Sequence, residues 1–115
     1  MLSSKMLAAF NEQIRNEFAS AYLYLSMSAW LESQNFPGGA HWMKGQYKEE
    51  LTHGEKLFGL VNDRNGRVIL EGIDKPAAEF GTLAETFKAV LAHEQKVTAC
   101  INKVYEVALA EKDYA

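Results

Sequence analysis

The chain has 115 residues, 48% hydrophobic and 23% charged, which is the length of one small domain and a composition that excludes disorder and collagen-like repeats. Lys and Arg number 12 against 15 Asp and Glu, a net charge of -3 with no basic block to track phosphates, so nucleic acid is not an expected partner. The single cysteine, Cys100, excludes an internal disulfide framework and a Cys-rich zinc site and makes the cytoplasm the expected compartment. The opening MLSSKMLAAF holds no signal-peptide apolar run, and no segment reaches the roughly 20 apolar residues that cross a membrane.

From Ser3 to Gln34 no Gly or Pro occurs, and Phe10, Ile14, Glu17, Ala21, Tyr24, Ser28 and Leu31 recur four and three apart. This spacing predicts a helix over about 3–34. At about 1.5 Å per residue such a helix runs to roughly 48 Å, a length that belongs to a bundle. Asn35-Phe36-Pro37-Gly38-Gly39 breaks the pattern and is short enough to join antiparallel neighbours. The spacing returns at Met43, Gln46, Glu50, His53, Leu57 and Leu60, predicting a second helix over about 40–64. It closes at Asp63-Arg64-Asn65-Gly66, with Gly66 as the left-handed cap.

Residues 65–81 contain Gly72, Pro76 and Gly81 and show no helical period. A connection of this length suits a crossover that travels along a bundle and starts the next helix parallel to the last. Thr82-Leu83-Ala84-Glu85 has the form of a capping box. Leu83, Phe87, Val90, Glu94, Val97, Ile101, Val104 and Ala108 carry a third helix over about 82–113. The expectation is a single all-α domain over 1–115, without internal repeats.

Each stripe is interrupted by an acidic residue where the period demands a buried side chain: Glu17, Glu50 and Glu94. Taken singly, such a glutamate also reads as an edge position whose carboxylate reaches solvent. Three carboxylates converging on one core need a common counter-charge, and no Lys or Arg occupies these stripes. His53 follows Glu50 by three residues, which puts both side chains on one face. Carboxylates with one imidazole and no thiolate favour iron or manganese over structural zinc. Two ions suit the set better than one, because a carboxylate such as Glu50 can bridge them and a pair of iron ions can pass two electrons to dioxygen.

The register leaves a discrepancy. Glu17 lies about 20 residues before Pro37, whereas Glu50 and His53 lie 13 and 16 after it, a mismatch of roughly 6 to 10 Å of helix rise that stagger or the turn must absorb.

The segments MLSSKML, NEFASAYLYLSMSAW around Glu17, HWMKGQYKEELTHGEKL around Glu50 and His53, DRNGRV at the crossover and AHEQKV around Glu94 resemble the bacterial non-haem ferritins over essentially the whole chain. The resemblance implies a ferritin-like four-helix bundle and a ferroxidase subunit of a homo-oligomeric iron-storage shell. In that family two Fe(II) bind per subunit at a di-iron centre, dioxygen oxidises them, and ferric oxyhydroxide accumulates inside the shell. Carried over by position, Glu17 and His53 hold the first iron, Glu50 bridges, and Glu94 holds the second. Tyr24 matches a tyrosine beside the centre, a hydrogen-bond partner or electron donor, and reads equally as a core aromatic. Glu49 matches an outer, third-iron position and reads also as a solvated helix-face residue.

The family continues through a fourth long helix that donates further site residues, whereas these 115 residues carry three. One flank of the stripes is therefore expected to lie uncovered, and a non-catalytic iron-binding or structural shell subunit stays open as the alternative. Haem-binding cousins carry a methionine just before the second-helix histidine. Thr52 stands there, so no haem is implied. Met27 and Met43 read as core, Cys100 as a small apolar group beside Ile101, and Trp30 and Trp42 as packing anchors near the first turn. His41 and His93 lie off the ligand stripes and read as partly exposed histidines.

Overall fold

The computed structural model describes residues 2–114. It contains α1 (Ser4–Ser33), α2 (Pro37–Asp63) and α3 (Leu83–Ala110), with no strand among the described residues. The bundle is 49 Å long. No helix is long and apolar enough to cross a membrane among the described residues.

Local chemistry sets the boundaries. Ser3 Oγ accepts from the Met6 amide at 3.1 Å and starts α1. Thr82 and Glu85 form the expected capping box, the Glu85 amide donating to Thr82 Oγ1 and the Thr82 amide to Glu85 Oε1. Sequence spacing places the start of α2 near Ala40, but the helix begins at Pro37, because proline at the first helical position has a preset φ and loses no needed N–H.

All three helices end in the same way, with a left-handed residue and a six-to-one backbone bond. Asn35 (φ 67°) ends α1 with the Phe36 amide donating to Leu31 O at 2.8 Å. Asn65 (φ 61°) ends α2 and Lys112 (φ 53°) ends α3. The left-handed cap of α2 is thus Asn65 and not Gly66, since asparagine tolerates this region and Gly66 is needed for space. A Cβ on Gly66 would stand 2.9 Å from Val61 Cγ1.

α1 is the central helix. Its whole predicted stripe, Phe10 through Leu31, is buried. α2 lies antiparallel to it, with Ser28 Oγ donating to Ala40 O at 2.8 Å near one end and Met6 packing with Val61 near the other. α3 is also antiparallel to α1, Val90 packing with Tyr24 and Leu31, and Val104 and Val107 lying against the cluster of Met6, Phe10 and Ile14. α2 and α3 therefore run parallel, as the crossover predicts. They meet at both ends: the Trp42 and Phe87 rings lie 5.4 Å apart, and Arg64 Nη2 pairs with Asp113 Oδ2 at 2.9 Å.

The crossover is fastened along α1. Asn11 donates to Arg67 O and accepts from the Ile69 amide, Arg15 donates to Gly72 O, Ser26 to Ala77 O and Trp30 Nε1 to Gly81 O. Trp30 is an anchor, as expected. Trp42 packs against the Phe87 ring and remains 46% exposed.

Candidate metal centre

Two apolar clusters fill the bundle, one around Tyr24, Met27, Leu31 and Met43 and one around Met6, Phe10, Ile14 and Val61. Between them lies a buried polar band containing Gln13, Glu17, Ser20 and Glu50. α1 brings in Glu17 and α2 brings in Glu50 and His53. The register discrepancy is resolved at the turn: its pivot is the left-handed Asn35 and not Pro37, and Glu17 and His53 are equidistant from it along the chain.

Glu17 and Glu50 are 3% and 5% exposed. Oε2 of each is buried and lacks a hydrogen-bond partner. Both face one ring nitrogen: His53 Nδ1 lies 3.8 Å from Glu17 Oε2 and 3.6 Å from Glu50 Oε2. One ligand atom from each of the three residues fits within 4.8 Å of the others. Two orphaned carboxylate oxygens away from water cost several kcal/mol unless a proton or a cation joins them. In the absence of an ion the proton goes to Glu50, whose carboxyl is pushed up to about 9 by burial, by the adjacent Glu17 carboxyl and by the charges of Glu94 and Glu49.

Glu94 is not in this three-residue group. Its Oε1 accepts the hydroxyl of the fully buried Tyr24. Burial, that bond and the charges of Glu94, Glu50 and Glu17 hold the Tyr24 proton far above the ordinary phenol range. Tyr24 thus ties Glu94 on α3 to α1, within the field of the Glu17 and Glu50 charges. Glu49 is exposed.

Sequence reasoning missed four neighbours. Gln13, one turn before Glu17 and next to the stripe residue Ile14, donates through Nε2 to Glu17 Oε1 at 2.9 Å. His93 reads from spacing as a bystander. Its Nε2 lies 2.7 Å from Ser20 Oγ and its ring meets the Tyr24 ring edge-on at 5.6 Å, while burial lowers its pKa. Ser20 donates to Asn16 O at 2.9 Å, so its oxygen accepts from His93. Gly54, next to His53, lets Phe18 approach α2 closely, where a Cβ would stand 2.7 Å from the Phe18 ring.

His53 retains 53% side-chain exposure. It opens onto a groove of about 530 Å³ that Glu17 shares with Leu57, Ile101 and Tyr105. Of the predicted α3 stripe, Phe87 and Ile101 remain exposed.

Residues 7–115 match the family described as the ferritin-like domain. The chain belongs to the ferritin family. It is 41% identical over 115 residues to a bacterial non-heme ferritin of Staphylococcus epidermidis, covering 100% of this chain and 69% of that one. Identity to a bacterial non-heme ferritin of Staphylococcus aureus is 36% with the same coverage. An open pore ferritin from the hyperthermophilic archaeon Archaeoglobus fulgidus superposes with a TM-score of 0.97 at 41% identity, over 99% of this chain and 70% of that one. A humanized archaeal ferritin gives a TM-score of 0.96 at 42% identity, over 99% of this chain and 69% of the other. The all-helical ferritin fold follows from these likenesses and from the three helices themselves.

Proposed function

We propose that this chain serves iron storage, as a ferritin subunit that takes up Fe(II) at Glu17, Glu50 and His53 and lets dioxygen oxidise it. The observation that carries this reading is the pair of buried, unpartnered Oε2 atoms of Glu17 and Glu50 facing the His53 ring. Oxygen donors with one imidazole suit Fe(II), which enters as substrate. Glu17 and His53 hold one ion. Glu50, central between the other acidic groups, shares its carboxylate with a second ion whose further ligand is Glu94. Two Fe(II) held there would give dioxygen one electron each, leaving Fe(III) and peroxide that takes two protons from the medium, and Glu50 must first release its own proton to the medium for its carboxylate to bind. Tyr24 holds Glu94 from the α1 side and keeps its own proton.

The names of the relatives support this reading, as does the likeness to solved ferritins. The same likeness supports a homo-oligomeric shell, and the single cysteine, Cys100, suits a cytoplasmic setting. The chain spans 69% of the length of the Staphylococcus epidermidis relative.

A second reading is favoured by the position of Glu94 outside the three-residue group: a shell subunit that binds one ion and does not turn over. Anaerobic titration with Fe(II), followed by equilibrium dialysis, tests the reading. Two ions bound per chain, with loss of both in Glu50→Ala, are expected. A single ion bound, unaffected by Glu94→Ala, favours the second reading, and no binding contradicts both.

A further inference from the structure

The structure assigns Gln13 the role of a positioning residue, one that makes Glu17 a one-oxygen ligand. This rests on the metal reading above. Gln13 is 4% exposed and lies one helical turn before Glu17 on α1. Its Nε2 donates to Glu17 Oε1 at 2.9 Å, while its Oε1 faces Asn16 Nδ2 at 3.5 Å. The amide thus turns its N–H side to the carboxylate. Glu17 Oε2 keeps no protein partner and faces His53 Nδ1 at 3.8 Å. The two oxygens of one carboxylate are thereby given different tasks.

A buried carboxylate with both oxygens free can clasp one ion through both and fill an extra coordination place. Here that rearrangement must break a buried hydrogen bond and leave the Gln13 amide unpaired, a cost that falls on the two-oxygen mode alone. A neutral donor is the suitable partner. An ammonium or guanidinium at position 13 would neutralise Glu17 and compete with the cation, whereas an amide orients the carboxylate without cancelling its charge. Gln13 also lines both the groove beside His53 and a second groove between α1 and α3, so its side chain separates Glu17 Oε1 from the water of that second groove. One-oxygen ligation by Glu17 would leave room on the ion for the Glu50 carboxylate.

The test uses Co(II) as the probe on the full chain under anaerobic conditions, with Gln13→Leu as the variant, since leucine keeps the volume and excludes water. Co(II) is expected to bind both proteins. In the variant its visible d–d absorptivity falls, because the coordination number rises, and the splitting between the carboxylate stretches in the infrared difference spectrum narrows. Gln13→Met removes only the amide from an unbranched side chain and carries the same test if leucine unfolds the chain. A folded variant whose Co(II) spectrum matches the unaltered chain overturns the role of Gln13 and leaves the metal reading standing. Failure of the unaltered chain to bind Co(II) overturns the metal reading itself, and the role of Gln13 with it.

Discussion

The hydroxyl of Tyr24 on α1 donates to Oε1 of Glu94 on α3, across the interface where the His93 ring stands edge-on to the same tyrosine. The bond joins a fully buried donor to a carboxylate that the three-residue group does not include. Tyr24→Phe keeps the ring and its packing and removes the donor. It is expected to destabilise the chain by about 1–3 kcal/mol. Urea unfolding should show a lower midpoint at an unchanged slope. A midpoint equal to that of the unaltered chain means the bond carries no net stability.

Glu50 gives the fold a pH dependence whose sign follows from the direction of its shift. Its carboxyl is pushed up to about 9 in the folded chain, so above its ordinary range the folded state binds a proton that the unfolded state has released. Stability from this group is present at acid pH and is lost as pH rises to about 9, with a slope of up to about 1.4 kcal/mol per pH unit. His93 acts in the opposite direction, but only near its ordinary range, where burial keeps the folded ring neutral. Between pH 7 and pH 9 the metal-free chain should therefore melt at progressively lower temperature, and Glu50→Gln should flatten this dependence and raise the melting temperature at pH 8. Over the same window divalent-ion affinity should rise by up to about tenfold per pH unit, as binding displaces the proton. Calorimetry in buffers of different ionisation enthalpy reads that proton directly.

Much of this architecture was legible in residue spacing, and the exceptions have local causes. The seven stripe residues of α1 are all buried because two antiparallel helices flank it. On α3 the same spacing leaves Ile101 exposed, since periodicity reports which face is apolar and not whether a neighbour covers it. Glu17, Glu50 and His53 came together as spacing and resemblance implied. Glu94 lies outside that one-ion group, and its bond from Tyr24 was not legible in spacing because it depends on the packing of α3 against α1. Gln13 was invisible as a functional residue for a related reason: an amide beside the stripe carries no ionic signal, and its meaning appears only when Glu17 Oε1 is found at its Nε2. The register was misjudged by taking proline as the turn, when a left-handed asparagine was the pivot and proline already belonged to α2.

Gly54 sets the α1–α2 distance at the level of the centre. A Cβ there would stand 2.7 Å from the Phe18 ring, directly beside His53 and opposite Glu17. Gly54→Val is expected to cost about 1–3 kcal/mol by overpacking and to weaken Co(II) binding by moving His53 away from Glu17. Thermal unfolding and a Co(II) titration measure the two effects separately. Unchanged affinity in a destabilised variant would assign Gly54 to packing alone.

The groove beside His53 exposes apolar surface at Ile101 and Tyr105, 49% and 64% exposed, and Leu91, 62% exposed, lies further along α3. Contiguous surface of this kind promotes association. The 115-residue chain should sediment as more than a monomer, and Leu91→Lys combined with Ile101→Lys should shift it toward monomer while leaving the helical circular dichroism intact. A clean monomer from the unaltered chain contradicts the expectation.

Glu17, Glu50 and His53 are proposed to gather Fe(II) for oxidation. The most direct measurement is anaerobic loading of the chain with two Fe(II) equivalents, followed by admission of oxygen and stopped-flow reading of the ferric absorbance beside a Glu50→Ala control. Rapid oxidation in the unaltered chain that falls to the buffer rate in the control is the predicted result. Equal rates in the two proteins and in buffer would contradict it.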